Sequence, residues 1–246
     1  MMGTMRLDKL LANAGIGTRS QVKQLIRKGC ISVNGEIVKM PEAKADSEKD
    51  KILANGKDVF YTEYEYYMFH KPAGYVTATR DKQDSTVMDL LEVPQKEKLF
   101  PVGRLDKDTE GLLLITDDGA LAHDLLSPKK HVDKTYFVRV SGTLLSEHSE
   151  AFASGINIGD EKPTLPARLD ILSSGEISEA EVTICEGRFH QIKRMFKALG
   201  FQVLYLKRLS MGSLRLDAAL EKGRYRKLTE EELAQLKEGK NRGKLC

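Results

Sequence analysis

The stretch Gly103–Gly119, GRLDKDTEGLLLITDDG, places an unbroken apolar run behind a group of charged side chains. The run Leu112–Ile115 predicts a buried β-strand. The charged group in front of it consists of Arg104, Asp106, Lys107, Asp108 and Glu110. Buried strands seldom carry so many charges at their entrance, so two interpretations stand. Either this is a charged turn that precedes a strand, or a carboxylate is held in place at the end of a rigid element.

Asp106 is the candidate reactive group in this stretch, because it lies between Arg104 and Lys107 just before the predicted strand. An ionised carboxylate held near fixed cations can act as a nucleophile. The alternative is a turn aspartate that caps the next element. Nothing links a second carboxylate to Asp106, so the pattern does not indicate a glycosidase pair. Turn or capping roles are predicted for Asp108, Asp117 and Asp118.

The composition of the 246-residue chain is that of an ordinary soluble globular protein, with 41% hydrophobic and 30% charged residues. The length is enough for one or two domains. No apolar run is long enough to cross a bilayer, and the first residues contain no apolar signal-peptide core. We therefore expect a cytoplasmic protein without a membrane segment.

Charge is distributed unevenly along the chain. Residues 1–40 contain seven Lys/Arg and two acidic residues, a net charge of +5, and the rest of the chain carries −2. A small basic module joined to a near-neutral body favours nucleic-acid binding. A solvated helix face is the simpler alternative, and charge alone does not separate the two.

Cysteine and histidine residues are too scattered to indicate a metal site. Cys30, Cys185 and Cys246 form no CxxC pair, and the five histidines form no HExxH motif. The sequence therefore predicts neither a disulfide framework nor a metal centre.

The N-terminal segment predicts two short helices followed by a hairpin. Leu7, Leu10 and Leu11 recur at helical spacing, and Thr18 or Ser20 can cap a second helix. The hairpin is indicated by the Asn-Gly pair at 34–35, between two short β-prone segments. These elements together predict a compact unit.

Basic residues follow one face of the second helix. Arg19, Lys23 and Arg27 recur every four residues, away from Val22 and Ile26. This spacing gathers the cations into a stripe that can track phosphates. With the start RLDKLLANAG, the TRSQ turn and the IRKG…VNG hairpin entry, the segment resembles the S4 RNA-binding domain, which implies binding to structured RNA. The further RNA-binding candidates are Arg6, Lys9 and Lys28.

From about residue 65 the pattern changes to strands with interspersed helices. Strands are predicted at 66–69, 74–79, 112–116, 135–140, 167–172 and 180–185. Helices are predicted at 120–126, at 190–199 and after Thr229, which forms a capping box with Glu232. The pattern predicts an α+β fold whose mixed, mainly antiparallel sheet is flanked by helices. We expect domains at residues 5–64 and 65–240.

The segment GRLDKDTEGLLL closely resembles the catalytic motif of the pseudouridine synthases, in particular the branch that modifies ribosomal RNA and carries an S4 domain. Further segments resemble that branch in the same order: HKPAGYVTAT (70–79), SPKKHVDKTYFV (127–138) and EGRFHQIKRMF (186–196). The resemblance implies that uridine is isomerised to pseudouridine. The bond from uracil N1 to the ribose breaks and the ring is rejoined through C5, without metal, nucleotide or redox cofactor.

The resemblance also implies roles for individual residues. Asp106 matches the catalytic aspartate, Tyr136 the tyrosine that packs against the target base, and Lys193 the basic residue that pairs with the aspartate. Arg104 matches a position that can enter the helix vacated by the flipped base. Taken alone, Tyr136 is interpreted as a core aromatic, Lys193 as a solvated lysine, and His190 as a cap or strand-end histidine.

Three functional hypotheses follow from the resemblance. The KTYFV segment, the GDEKPTLPARL segment (159–169) and the GRYRKLTEEE ending are most similar to the enzyme acting on 16S, small-subunit rRNA. The LFPVGRLDKDTEGLLL segment also suits a sister enzyme acting on 23S rRNA. The third hypothesis is a non-catalytic S4-type ribosome-assembly protein, against which the intact Asp106, Tyr136 and Lys193 argue. The expected partner is rRNA or a small-subunit assembly intermediate, and a monomer is the default.

Overall fold

The computed structural model describes residues 4–47, 49–59 and 64–239. The chain divides into two compact units, Met1–Glu63 and Tyr64–Cys246. Two positions named above, Lys240 at the expected end of the second domain and Cys246, lie outside the described residues.

The first unit contains the two predicted helices and the predicted hairpin. Thr18 caps the second helix, and its side chain and that of Gln21 form a reciprocal capping box. The side chains of Leu7, Leu10 and Ile26 are fully buried in the small core. The elements are β1 (Met5–Arg6), α1 (Leu7–Asn13), α2 (Arg19–Arg27), β2 (Ile31–Val33), β3 (Glu36–Ile37), β4 (Lys44–Ala45), β5 (Ile52–Ala54) and β6 (Lys57–Asp58).

The second unit is built on one large sheet. Its strands are β7 (Tyr66–Lys71), β8 (Phe100–Val102), β9 (Glu110–Thr116), β10 (Lys134–Ser141), β11 (Arg168–Ser173), β12 (Ile177–Ile184), β13 (Val203–Met211), β14 (Leu214–Arg215) and β15 (Tyr225–Lys227). Its helices are α3 (Gly119–Leu126), α4 (Ser146–Ser154), α5 (Gln191–Ala198) and α6 (Glu230–Glu238). Short 3-10 turns occur at Val87–Leu90, Lys96–Lys98 and Pro128–Lys130.

The sheet is mixed and mainly antiparallel, as the sequence predicts. Its strand order is β11-β12-β10-β13-β9-β7-β15, and β13 runs parallel to β9. Phe152 of α4 and Phe196 of α5 pack in one buried cluster with β10 and β12. Leu121 of α3 and Leu236 of α6 pack in another cluster with β7 and β9. The α+β expectation is therefore confirmed.

Two details of the predicted strands are wrong. Residues 74–79 form a turn whose only ladder contact among the described residues is a bridge from Val76 to Thr86. Their β-branched composition favours a strand, but the segment instead folds over the turn that contains Asp106. The central strand β13 is absent from the sequence prediction, because Lys207 and Arg208 interrupt its apolar pattern.

Cysteine chemistry also departs from the expectation. Cys30 is free, whereas the buried Cys185 is disulfide-bonded. Spacing along the chain does not reveal which cysteines a fold brings together.

None of the helices in the described part of the chain has both the length and the apolar character needed to span a bilayer.

The parallel pairing of β9 and β13 depends on Gly111. Its φ angle is +107°, and a Cβ placed there would lie 2.2 Å from the carbonyl oxygen and 2.6 Å from the nitrogen of Arg208. No side chain fits this approach. The glycine therefore allows the strand that follows Asp106 to join the centre of the sheet.

We expect Gly111→Ala to lower the free energy of unfolding by about 3 kcal/mol or more, because the clash is with backbone that cannot move aside. Urea denaturation followed by circular dichroism measures this change. Gly119→Ala is the matched control, since nothing lies within 4 Å of its added Cβ. A loss in Gly111→Ala no larger than in Gly119→Ala would contradict the close-approach argument.

Candidate active site

The turn that carries Asp106 is held by a buried lysine at the end of β7. The Nζ of Lys71 donates to the carbonyl oxygens of Asp106 at 3.0 Å, Lys107 at 3.3 Å and Thr109 at 2.8 Å. It also lies 3.1 Å from the carbonyl of Pro72. The lysine side chain is fully buried. These contacts fix the backbone around Asp106 and show why the HKPAG segment accompanies GRLDKDT.

The remainder of the 70–79 segment binds the same turn. The hydroxyl of Thr77 donates to the carbonyl of Leu105 at 2.7 Å and accepts from the Leu105 N–H at 3.2 Å. The N–H of Gly74 donates to the Lys107 carbonyl at 2.7 Å. The two segments, distant in sequence, form one rigid unit.

The carboxylate of Asp106 faces two side chains from the start of α5. Its Oδ2 lies 3.1 Å from the Nζ of Lys193, and its Oδ1 lies 3.4 Å from the Nε2 of His190. The pairing of Lys193 with Asp106 is the geometry that the sequence resemblance implies. Asp108, interpreted above as a turn residue, also pairs with Lys193, at 2.6 Å.

Lys193 serves both carboxylates as a cation. Burial disfavours its charged form, but hydrogen bonds to Asp108 and Asp106 outweigh burial and raise the pKa of Lys193 above its ordinary value. Burial raises the pKa of the Asp108 carboxyl, but the hydrogen bond from Lys193 outweighs burial, so the pKa of Asp108 lies below its ordinary value. Lys193 is therefore charged at neutral pH and is unsuited to accept a proton.

His190 is a site residue that sequence reasoning assigned to a capping role. It occupies the N-cap position of α5, but its side chain forms no capping hydrogen bond. The side chain of Gln191 instead binds the turn before the helix, where its Oε1 accepts from the N–H of Arg188 at 3.0 Å. A left-handed backbone, with φ of 49°, turns His190 toward Asp106. No sequence signal distinguished this orientation.

A pocket of about 80 Å³ lies beside Asp106. Tyr136, on β10, forms part of its wall and is 8% exposed, so it is both a core aromatic and a site residue. Arg104 is exposed and also lines the pocket. It forms no ion pair with another described residue.

Arg188, a second arginine that lines the pocket, uses its guanidinium in hydrogen bonds within the protein. Its guanidinium donates to Glu186 at 3.0 Å and to the carbonyls of Lys162 at 2.7 Å and Pro163 at 2.8 Å. Arg194 of α5 pairs with Asp160 in the same segment. The two arginines anchor the 158–163 segment to the start of α5, so the site wall is preorganised.

The basic residues proposed for RNA binding in the first unit fall into two groups. Arg6, Arg19 and Lys23 pair with the buried carboxylate of Asp8, at 3.1, 3.4 and 4.0 Å. The hydrogen bond from Arg6 is the largest cause that lowers the pKa of Asp8, to about 2. In the second group, Lys9, Arg27 and Lys28 form no ion pair with another described residue. Asp8 therefore orders three of the cations and neutralises one charge.

The described residues contain no group of three or more His, Cys, Asp or Glu side chains that could hold a metal ion.

Comparison with known families identifies both units. The sequence model described as RNA pseudouridylate synthase matches residues 65–198, and that of the S4 domain matches residues 5–52. The chain belongs to the RNA pseudouridylate synthase family. Its N-terminal unit is an S4 domain, so both resemblances found in the sequence are confirmed.

Relatives of this pseudouridine synthase cover nearly its whole length. The chain is 46% identical to an uncharacterized RNA pseudouridine synthase of Bacillus subtilis, over 95% of this chain and 99% of the relative. It is 42% identical to ribosomal small subunit pseudouridine synthase A of Haemophilus influenzae, over 94% and 99%. A crystal structure of a pseudouridylate synthase is 42% identical, covers 94% of this chain and 99% of that one, and superposes with a TM-score of 0.67.

Replacing Lys71 tests how the turn is anchored. Burial lowers the pKa of Lys71 from 10.5 to about 8. Across this window the unfolded chain binds more protons than the folded one, so the contribution of Lys71 to stability rises with pH. We expect Lys71→Met to show a smaller rise in unfolding free energy between about pH 8 and 9.5 than the wild type.

Urea denaturation across this pH range measures the difference between the two proteins. Lys107→Met is the control, because its half-exposed side chain pairs only with Asp84 among the described residues; its curve is expected to run parallel to that of the wild type. If the unfolding free energies of wild type and Lys71→Met changed with pH in parallel, the conclusion that burial lowers the pKa of Lys71 would be contradicted.

Proposed function

We propose that this enzyme isomerises a uridine of small-subunit (16S) rRNA to pseudouridine, with Asp106 as the nucleophile. The observation that carries the proposal is the Asp106 carboxylate at the pocket, held between Lys193 at 3.1 Å and His190 at 3.4 Å on a turn anchored by Lys71. The choice of RNA is supported by relatives named ribosomal small subunit pseudouridine synthase A.

The proposed reaction breaks the bond between N1 and the ribose and forms a new bond from C5. The hydrogen of C5 is released, and N1 ends with a hydrogen. Asp106 attacks the nucleoside and later leaves, as a carboxylate nucleophile can. Lys193 remains charged beside it throughout, since its raised pKa opposes loss of its proton.

The target uridine has to leave its stack before Asp106 can reach it. Tyr136 packs against the extruded base in this proposal, and stacking of this kind contributes about 1–3 kcal/mol. Arg104, exposed at the pocket, enters the space that the base vacates. These roles for Asp106, Tyr136, Lys193 and Arg104 are part of the proposal.

The two units have separate roles in the proposal. Residues 5–64 hold the RNA through Arg6, Lys9, Arg19, Lys23, Arg27 and Lys28, and residues 65–240 carry out the chemistry. The substrate is rRNA or a small-subunit assembly intermediate, which locates the enzyme in the cytoplasm. The monomeric state stays a prediction from sequence.

Release of tritium from rRNA labelled at uridine C5 tests the reaction, because forming the new carbon–carbon bond expels that hydrogen. We expect release from small-subunit rRNA with wild type and none above background with Asp106→Asn, while RNA affinity stays within a few-fold. Asp170→Asn is the control, since this exposed carboxylate pairs with Arg168 on the distant strand β11.

Other outcomes select between the remaining hypotheses. Release from large-subunit rRNA alone would assign the 23S reaction. Binding without release from either RNA, whether naked or partly assembled, would identify a non-catalytic assembly factor. A parallel loss of affinity in Asp106→Asn would show that the carboxylate is structural.

The salt dependence of RNA binding tests the S4 unit. Each phosphate contact adds about 0.9 to the slope of log K against log salt for a duplex, and about 0.7 for a single strand. We expect the double variant Arg27→Ala/Lys28→Ala to reduce that slope by about 1 for each cation removed. Lys49→Ala/Lys57→Ala, which removes two exposed lysines outside α2, is the matched control. Equal slopes for the two double variants would remove the argument for α2.

A further inference from the structure

Phe189 is the most exposed large apolar side chain among the described residues, at 73%. Exposure alone is common for single surface hydrophobics and needs no explanation. Phe189 differs from the others in where it lies and in how firmly it is held.

In space, only the imidazole of His190 separates the ring of Phe189 from the Asp106 carboxylate. It stacks on the imidazole of His190, with centroids 3.8 Å apart and planes 18° from parallel. The same imidazole lies 3.4 Å from Asp106. One face of the phenyl ring is covered by His190, and the exposed area belongs to the rest of the ring. An aromatic face therefore opens to solvent next to the pocket.

The backbone that carries this ring is tightly constrained. Arg194 donates to the carbonyl of Phe189 at 3.3 Å, and the N–H of Gln191 donates to the carbonyl of Arg188 at 3.2 Å. The Arg188 guanidinium is bound to the 158–163 segment, as described above. A ring presented in this way loses little conformational freedom when a planar group stacks on it.

The surroundings of the ring suit a nucleobase. Arg104, which forms no ion pair with another described residue, lines the adjoining pocket, and a free cation there attracts the RNA backbone. Extruding one nucleotide leaves its neighbours partly unstacked, and single-stranded bases commonly stack on aromatic side chains. Tyr136 already occupies the pocket wall, so the target base and the outer ring face are separate places.

We propose that Phe189 is the stacking surface for the base of a nucleotide that flanks the target uridine. This inference rests on the proposed function, because it needs a flipped uridine at Asp106. It adds a contact outside the pocket through which the enzyme reads or grips the RNA next to its target.

The first test is RNA binding and single-turnover tritium release by Phe189→Leu, which keeps an apolar side chain and removes the π face. We expect the RNA dissociation constant to rise about 5-fold to 100-fold, the range that one base–aromatic stack supports. The rate at saturating RNA should stay within about 3-fold of wild type, because Phe189 does not touch the reacting atoms. Phe189→Tyr and Phe189→Trp keep an aromatic face, so their RNA dissociation constants are expected to stay close to that of wild type.

Ile177→Ala is the matched control. Ile177 is 56% exposed and lies at the opposite end of β12 from the pocket residue Ile184, about 23 Å along the strand. We expect its affinity and rate to equal those of wild type.

The second test locates the base. RNA fragments with an abasic nucleotide on the 5′ or the 3′ side of the target are combined with wild type and Phe189→Leu in a double-mutant cycle. The proposal predicts that removing one flanking base weakens wild-type binding but not further that of Phe189→Leu. Coupling at one flanking position supports the stack and assigns its side.

Several results would overturn the inference. Unchanged binding by Phe189→Leu would do so, as would additive effects at both flanking positions. A fall in the saturated rate or a shift of its pH profile, with binding intact, would show that Phe189 only orients His190. In each case wild type still releases tritium. Absence of release from wild type itself would instead reject the proposed function.

Discussion

The candidate active site depends on one buried ammonium group. Lys71 is fully enclosed, and its contacts in the described part of the chain are backbone carbonyls, three of which belong to the turn Asp106–Thr109. An ammonium group has three donors and no acceptor, so it can gather several carbonyls around one point. The nearby carboxylates of Asp108 and Asp106 offset part of the burial cost at longer range. The Lys71 ammonium thereby fixes the backbone of the turn that carries Asp106.

The side chain of Asp106 is held independently of its backbone. Lys193 and His190 reach it from the start of α5, which the Arg188 and Arg194 contacts tie to the 158–163 segment. The turn is therefore anchored to β7 and the carboxylate to α5, two elements far apart in sequence. Restraining a carboxylate from two directions sets its position before substrate binds, which is what the proposed nucleophile requires.

Local patterns predicted much of this molecule because they report local physics. Helical spacing and a capping residue located α2 and α6, and alternation or apolar runs located β9, β10 and β12. The strand β13 was missed because its buried Arg208 looks polar in sequence. Only in the sheet does its Nε find the Leu112 carbonyl, at 2.7 Å. Likewise, the β-prone residues of 74–79 are used to bind the Asp106 turn.

The sequence by itself determined the α+β class, the S4 unit with its basic helix, and the identity of Asp106, Tyr136 and Lys193 as candidates. The α+β class and the basic helix follow from residue types and spacings, whereas the S4 unit and the roles considered for Asp106, Tyr136 and Lys193 follow from the resemblance to known families. Only the tertiary structure decided that Lys71 anchors the turn, that Asp108 shares Lys193, and that His190 faces Asp106 instead of capping α5. Such contacts join segments up to 85 positions apart. They depend on how β7, β9 and α5 meet, which no local pattern encodes.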